Sequence, residues 1–215
     1  TEGTTMTFLS QEDHIKAAIE GINEERLKSC GREGFVTSVL VFDKDGNPVP
    51  NDSETPGEII VHSDANMVGY FRRPDLTEKT IRNGWMWTGD IATWDKDNYI
   101  FIKDRAKDMI ISGGYNIYPK EVELVLDEVD VIKESAVIGC IHDDLGEAVV
   151  AIIVPRDTKK SISDDRIKKI LLKSLASFKC PKKYIWLDKL PRNAMGKVQK
   201  KELKKNFNNI FKEGI

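Results

Sequence analysis

The chain has 215 residues, 40% of them hydrophobic and 32% charged, with a formal net charge of −2 at pH 7. This is the composition of one ordinary folded domain or two small ones, and it excludes collagen-like and disordered classes. The longest apolar runs, such as Ala148 to Val154, fall far short of the roughly 18 residues that a membrane-spanning helix needs. No basic segment followed by an apolar core opens the chain, so no secretory signal is expected.

The near-zero total hides an asymmetry. Residues 1–154 carry 15 basic and 29 acidic residues, a balance of −14, whereas residues 155–215 carry 18 basic and 6 acidic, a balance of +12. A basic end can offer a surface to phosphates, or its lysines can simply solvate helix faces. Basic and aromatic residues are not interleaved there as a base-stacking surface would require, so no nucleic-acid partner is expected. Cys30, Cys140 and Cys180 are too few and too widely spaced for a disulfide framework. Cys140 and His142 could be two metal ligands, but the apolar run Ser135 to Ile141 makes a core cysteine the better reading, and zinc is not expected. The setting this implies is reducing and cytoplasmic. The chain starts at Thr1 and its first methionine is Met6, which reads as a processed piece or an excised fragment.

In chain order, Phe35 to Phe42 predicts a strand, with Asp45-Gly46 as a hairpin turn signal. Gly57 to His62 predicts another, and Pro74 opens a short helix containing Leu76, Lys79 and Thr80. Ile91 to Trp94 and Tyr99 to Lys103 flank a turn at Asp95 to Asn98. Residues 35–103 are therefore expected to form a small antiparallel sheet or part of a barrel. Beyond about Lys107, strands and helices alternate. Met109 to Ser112 is a short apolar run ended by Gly113-Gly114, and Pro119 opens a helix carrying Val122 and Val125. Ser135 to Ile141 and Ala148 to Val154 predict antiparallel strands joined through Asp143 to Gly146. Ser163 caps a helix whose Ile167, Ile170, Leu171, Leu175 and Phe178 form one stripe, ended by Pro181. Tyr184 to Leu187 predicts a last strand and Lys200 to Phe207 a basic helix. The expected fold class is α+β.

Three polar clusters interrupt these elements. Trp87-Thr88-Gly89-Asp90 is expected at the start of a strand, where a carboxylate fixed beside glycine can accept two hydrogen bonds from a sugar diol. Lys103 to Asp108 is dense in charge and suits a solvated loop or a swivel. Pro191-Arg192-Asn193-Ala194-Met195-Gly196-Lys197 puts a lysine after glycine on a loop, without the frame of a P-loop. Each cluster alone is a weak signal.

Together, in this order, they resemble the C-terminal part of the adenylate-forming superfamily, which includes acyl-CoA synthetases, adenylation domains of peptide synthetases and beetle luciferases. Gly57 to Val61, Gly69 to Phe71, Gly84 to Asp90, Asp104 to Asp108, Gly113 to Pro119 and Pro191 to Lys197 resemble that family's successive signatures, and Thr1-Glu2 resembles the end of another. The resemblance implies a β remnant of a large N-terminal domain over residues 1–104, a hinge at 105–107, and a mobile α+β lid domain over 108–215. It implies activation of a carboxylic acid with ATP to an acyl-adenylate and pyrophosphate, then transfer of the acyl group to coenzyme A. Asp90 would hold the ribose hydroxyls of ATP with Arg105 assisting, Thr1 would meet the α-phosphate, and Glu2 would hold Mg²⁺. Lys107 would be the hinge, Gly113, Gly114 and Tyr115 would line the pantetheine tunnel, and Lys197 would be the catalytic lysine.

No phosphate loop rich in Ser, Thr and Gly and ending in lysine is found in the 215 residues, so the chain alone is expected to be inactive in adenylation. Its partners are then the acid, ATP, CoA and an upstream N-terminal domain of the same enzyme. Two alternatives stay open: an enzyme that loads a carrier protein, and a non-enzymatic module whose basic residues 155–215 dock an anion. Neither the acid nor the oligomeric state is legible.

Overall fold

Residues 2–3, 6–157 and 162–212 are described by the computed structural model of the chain. The chain divides into two units, Thr1–Lys107 and Asp108–Ile215. In the first, β1 (Thr7–Phe8) leads to α1 (Gln11–Ala18), and β2 (Arg32–Glu33) then pairs antiparallel with β1. Hydrophobic periodicity gives no warning of α1; its signal is the capping box formed by Ser10 and Asp13. The Asp13 amide donates to Ser10 Oγ at 3.1 Å, and the Ser10 amide donates back to Asp13 Oδ2 at 2.9 Å, so two orphan donors of the helix start are satisfied.

Asp13 is buried and also accepts the Tyr99 hydroxyl at 2.5 Å, while the Arg26 guanidinium lies 4.2 Å over the Tyr99 ring. Burial pushes the Asp13 carboxyl up, but hydrogen bonds from Tyr99 and Ser10 outweigh it and hold the group down at about 2, against an ordinary 3.8. The unfolded chain takes up this proton at a higher pH than the folded one. The stabilisation is therefore complete above pH 3.8 and is lost as pH falls through about 2. An acid titration of the first unit, followed by circular dichroism, is expected to show this loss, and Asp13→Asn is expected to flatten it.

The main sheet of this unit is built from β3 (Ser38–Phe42), β4 (Gly57–His62), then, after α2 (Pro74–Thr80), β5 (Ile81–Arg82), β6 (Trp85–Trp94) and β7 (Ile100–Arg105). Its order is β3-β4-β6, and β5 and β7 share the far side of β6, β5 beside Trp85 and Met86 and β7 beside residues 90–94. Val39, Ile59, Val61, Met86, Ala92 and Ile100 pack together as the core on its inner face. Two expectations are corrected here. Trp87 to Asp90 lies inside β6 rather than at a strand start, and Asp104 and Arg105 belong to β7 rather than to a loop, because ladder pairing with Ile91 and Asp90 overrides their polarity.

In the second unit, β8 (Ile110–Ser112) and β9 (Tyr115–Ile117) form a hairpin, followed by α3 (Pro119–Asp127), β10 (Ile132–His142), β11 (Gly146–Pro155), α4 (Asp164–Leu171), β12 (Lys183–Trp186) and α5 (Lys200–Phe207). The sheet order is β10-β11-β8-β9, with β12 parallel to β11. Residues of β10 and β11 alternate between two cores. Val137, Val149, Ala151 and Ile153 pack with α3 and α4, while Ala136, Ile138, Cys140, Val150, Ile152 and Val154 pack with Leu190 and with Leu203 of α5. A sheet covered on both faces explains why these strands read as unbroken apolar runs instead of alternating ones. The predicted single stripe to Phe178 is corrected. α4 stops at Leu171, the Ser163 side chain makes no capping hydrogen bond, and Ser177–Lys179 is a separate 3₁₀ turn. Leu175 still reaches the core, but Phe178 turns outward onto Tyr115.

Candidate functional site

Asp90 is aimed by a bulge. Glu58 pairs with Ile91 and Ile60 with Trp87, so Thr88, Gly89 and Asp90 together face the single residue Ile59 of β4. Gly89 has φ +73°, and a Cβ there would meet nothing nearer than 3.7 Å; backbone conformation rather than space is what calls for glycine. The bulge is pinned at three points. Thr88 Oγ1 donates to the Ile59 carbonyl at 2.9 Å and accepts the Asp90 amide at 3.1 Å, and Glu58 Oε1 accepts the Gly89 amide at 2.8 Å. Thr88 and Glu58 are thus supporting residues that sequence reasoning does not assign.

Across the ladder, Arg105 is the pairing partner of Asp90, and its Nε lies 3.1 Å from Asp90 Oδ1. Burial pushes the Asp90 carboxyl up, and the Arg105 guanidinium pulls the other way. The two groups border an open cleft of about 450 Å³ whose wall also carries Glu2, Tyr70, Lys79 and Arg82. Glu2 Oε1 accepts the Tyr70 hydroxyl at 3.0 Å, which holds the Glu2 carboxyl below its ordinary range. The cleft therefore brings together Glu2, Asp90 and Arg105, three of the residues singled out in the sequence. Thr1 lies outside the described residues. A cleft edged by carboxylates, the Arg105 guanidinium and two further cations offers both acceptors for hydroxyls and positive charge for phosphates. Three carboxylates, Glu2, Glu58 and Asp90, line the cleft, but no group of three or more His, Cys, Asp or Glu side chains placed to hold a metal ion together occurs among the described residues.

Lys107 is exposed in the 3₁₀ turn Ala106–Asp108 and is the last residue of the first unit. Gly113 and Gly114, at φ +56° and +84°, are the two central residues of the β8–β9 turn, with Ser112 facing Tyr115. Positive φ at both positions is what a tight primed hairpin turn demands. A Cβ on Gly114 would meet nothing within 4 Å, so that side of the turn is open. Tyr115 is more than half exposed and stacks on Phe178 at 4.5 Å between ring centroids.

Lys197 is exposed on the Arg192–Val198 loop, which closes on itself through a backbone bridge between those two residues. Among the described residues its ammonium makes no ion pair. Two of the four lysines of α5 are engaged, Lys200 with Glu123 at 2.6 Å and Lys204 with Glu147 at 2.5 Å.

Residues 121–197 match the family model of the AMP-binding enzyme C-terminal domain. The chain is 40% identical over 183 residues to a feruloyl-CoA synthase of an Amycolatopsis species, covering 85% of this chain and 37% of that protein. It is 38% identical over 201 residues to the long-chain-fatty-acid–CoA ligase FadD13 of Mycobacterium tuberculosis, covering 94% of this chain and 37% of that protein. Its fold superposes on o-succinylbenzoate CoA synthetase (MenE) of Bacillus subtilis, solved with the acyl-adenylate OSB-AMP. There the TM-score is 0.81 at 33% identity, over 93% of this chain and 38% of that one. The chain thus spans well under half the length of these relatives. It carries the C-terminal domain of the adenylate-forming superfamily and belongs to that superfamily. Within it, the chain corresponds to the C-terminal portion of acyl- and aryl-CoA ligases. No helix among the described residues is long and apolar enough to cross a membrane.

Proposed function

We propose that the chain acts as the C-terminal portion of an AMP-forming acid–thiol ligase. In the first half-reaction a substrate carboxylate oxygen attacks the α-phosphorus of ATP, the bond from that phosphorus to the bridging oxygen breaks, and pyrophosphate leaves. In the second, the sulfur of coenzyme A attacks the acyl carbon, AMP leaves and the thiol proton is lost. The observation that carries this reading is the pairing of Asp90 with Arg105 on adjacent strands at the mouth of one cleft. Asp90 accepts the two ribose hydroxyls, Arg105 orients Asp90, and Glu2 with Thr1 serves the phosphates and their Mg²⁺.

Lys197 neutralises charge between the attacking carboxylate and the α-phosphate, because one anion approaches another slowly until a cation stands between them. Residues 108–215 turn about Lys107 between half-reactions. After that turn the hairpin of Gly113, Gly114 and Tyr115 lines the path of the pantetheine arm, where glycines let backbone approach a thin ligand. The acid pocket and the remaining ATP contacts belong to an upstream domain of the same enzyme. A cytoplasmic setting goes with this reading and with three unpaired cysteines.

The test uses the complete enzyme with Asp90→Asn. Removing a charged hydrogen-bond acceptor costs about 1.5–3 kcal/mol, so the KM for ATP is expected to rise about 10- to 100-fold in ATP–pyrophosphate exchange while the KM for the acid stays put. An unchanged KM for ATP would remove Asp90 from the nucleotide site.

A further inference from the structure

The loop that presents Lys197 is built from hydrogen bonds rather than from packing. Asn193 Oδ1 accepts two backbone amides, those of Met195 at 3.0 Å and Lys197 at 2.9 Å. The Asn193 amide donates to the Lys197 carbonyl at 2.9 Å, and the Gly196 amide donates to the Asn193 carbonyl at 2.9 Å, with Gly196 at φ +78°. Arg192 works from the other side. One terminal nitrogen donates to the Gly196 carbonyl at 2.7 Å and the other is paired with Glu134 of β10. Beyond the loop, the Gln199 amide donates to the Pro191 carbonyl at 2.8 Å, and Leu190 and Leu203 are buried in one core. The turn is therefore tied at its centre by Asn193 and strapped to β10 by Arg192 and Glu134, while the Lys197 ammonium is left in solvent.

We propose that Asn193, Arg192 and Glu134 are positioning residues that fix where Lys197 stands on its domain. The proposal rests on the reading of Lys197 given above. A lysine side chain has four rotatable bonds, so a wandering backbone beneath it would dilute the population of ammonium that meets the substrate oxygens. Fixing Cα removes that part of the search. Asn193 does so by local geometry, since its carboxamide oxygen stands in for a backbone carbonyl. Arg192 does so by a charge-assisted fork whose second arm reaches a half-buried carboxylate.

The experiment has two arms. On the chain of 215 residues, amide hydrogen exchange at Met195 and Lys197 is compared for the unchanged protein, Asn193→Ala, Asn193→Asp and Glu134→Gln. Asn193→Ala is expected to speed exchange at both amides about tenfold or more, Asn193→Asp to restore protection because it keeps the acceptor, and Glu134→Gln to give a smaller increase. In the complete enzyme, Asn193→Ala is expected to lower kcat for ATP–pyrophosphate exchange about 10- to 100-fold with the KM for ATP unchanged. Thioester formation from supplied acyl-adenylate should be kept, and Asn193→Asp should recover the loss. Equal loss of both half-reactions, or unaltered exchange and unaltered adenylation beside an inactive Lys197→Ala, overturns the positioning role and leaves the lysine reading intact. An active Lys197→Ala overturns the lysine reading itself, and the positioning role falls with it.

Discussion

Lys197→Ala in the complete enzyme is expected to lower ATP–pyrophosphate exchange by about 10²–10³-fold, the cost of removing one preorganised charge from a polar transition state. Formation of the thioester from supplied acyl-adenylate is expected to survive. The asymmetry follows from the chemistry. Only the first half-reaction joins two anions, the carboxylate and the phosphate, and only there does a cation between them lower the barrier. The structure is compatible with that duty in a specific way. The ammonium is exposed and, among the described residues, makes no ion pair, whereas Lys200 and Lys204 a few residues on are held by Glu123 and Glu147. A lysine already paired within its own unit would have to break that pair before serving a substrate. Measuring the two half-reactions separately decides the matter, and equal loss of both would sink the assignment.

The largest effect on stability is expected at the centre of the second unit. Ile153 on β11 is fully buried among residues of α3 and α4, and Ile152, its neighbour in sequence, is fully buried in the opposite core. Ile153→Ala removes three carbons from a site enclosed on all sides and is expected to destabilise the unit by about 2–5 kcal/mol, whereas Ile153→Val is expected to cost about 1 kcal/mol. Ile152→Ala is expected to fall in the same range, because both faces of the sheet are covered. Denaturant midpoints, with amide exchange of β10 and β11 as the local readout, check these values. An Ile152→Ala near zero would mean that the face toward Leu203 is solvated.

Much of this fold is legible in the sequence for identifiable reasons. The β10–β11 pair announces itself because two runs of β-branched residues flank a turn at Asp143 to Gly146. The hairpin of β8 and β9 is visible as Gly113-Gly114, since few other pairs tolerate positive φ at consecutive positions. The helix α1 is hidden, because eight residues of mostly polar character carry little periodicity and only the Ser10 and Asp13 cap marks the start. The placement of Arg105 is hidden for a different reason. A run of alternating charges reads as solvent-exposed loop, and only the ladder with β6 makes it a strand whose outward residue meets Asp90.

Local chemistry along the chain is enough to determine the class of each unit, the turns that demand glycine, and the identity of the polar clusters with their order. Those properties depend on neighbours a few residues apart and on composition. What the tertiary structure alone decided is which groups share a place. Asp90 meets Arg105 and shares one cleft with Glu2 and Tyr70, Glu134 reaches Arg192 from 58 residues away, and two adjacent isoleucines belong to different cores. The meeting of Asp90 with Arg105 is set by strand register and by the bulge at Gly89, and the division of Ile152 from Ile153 by the alternation of β11. A shift of one residue in register or bulge would invert every side chain beyond it, and nothing in a short window of sequence records that choice.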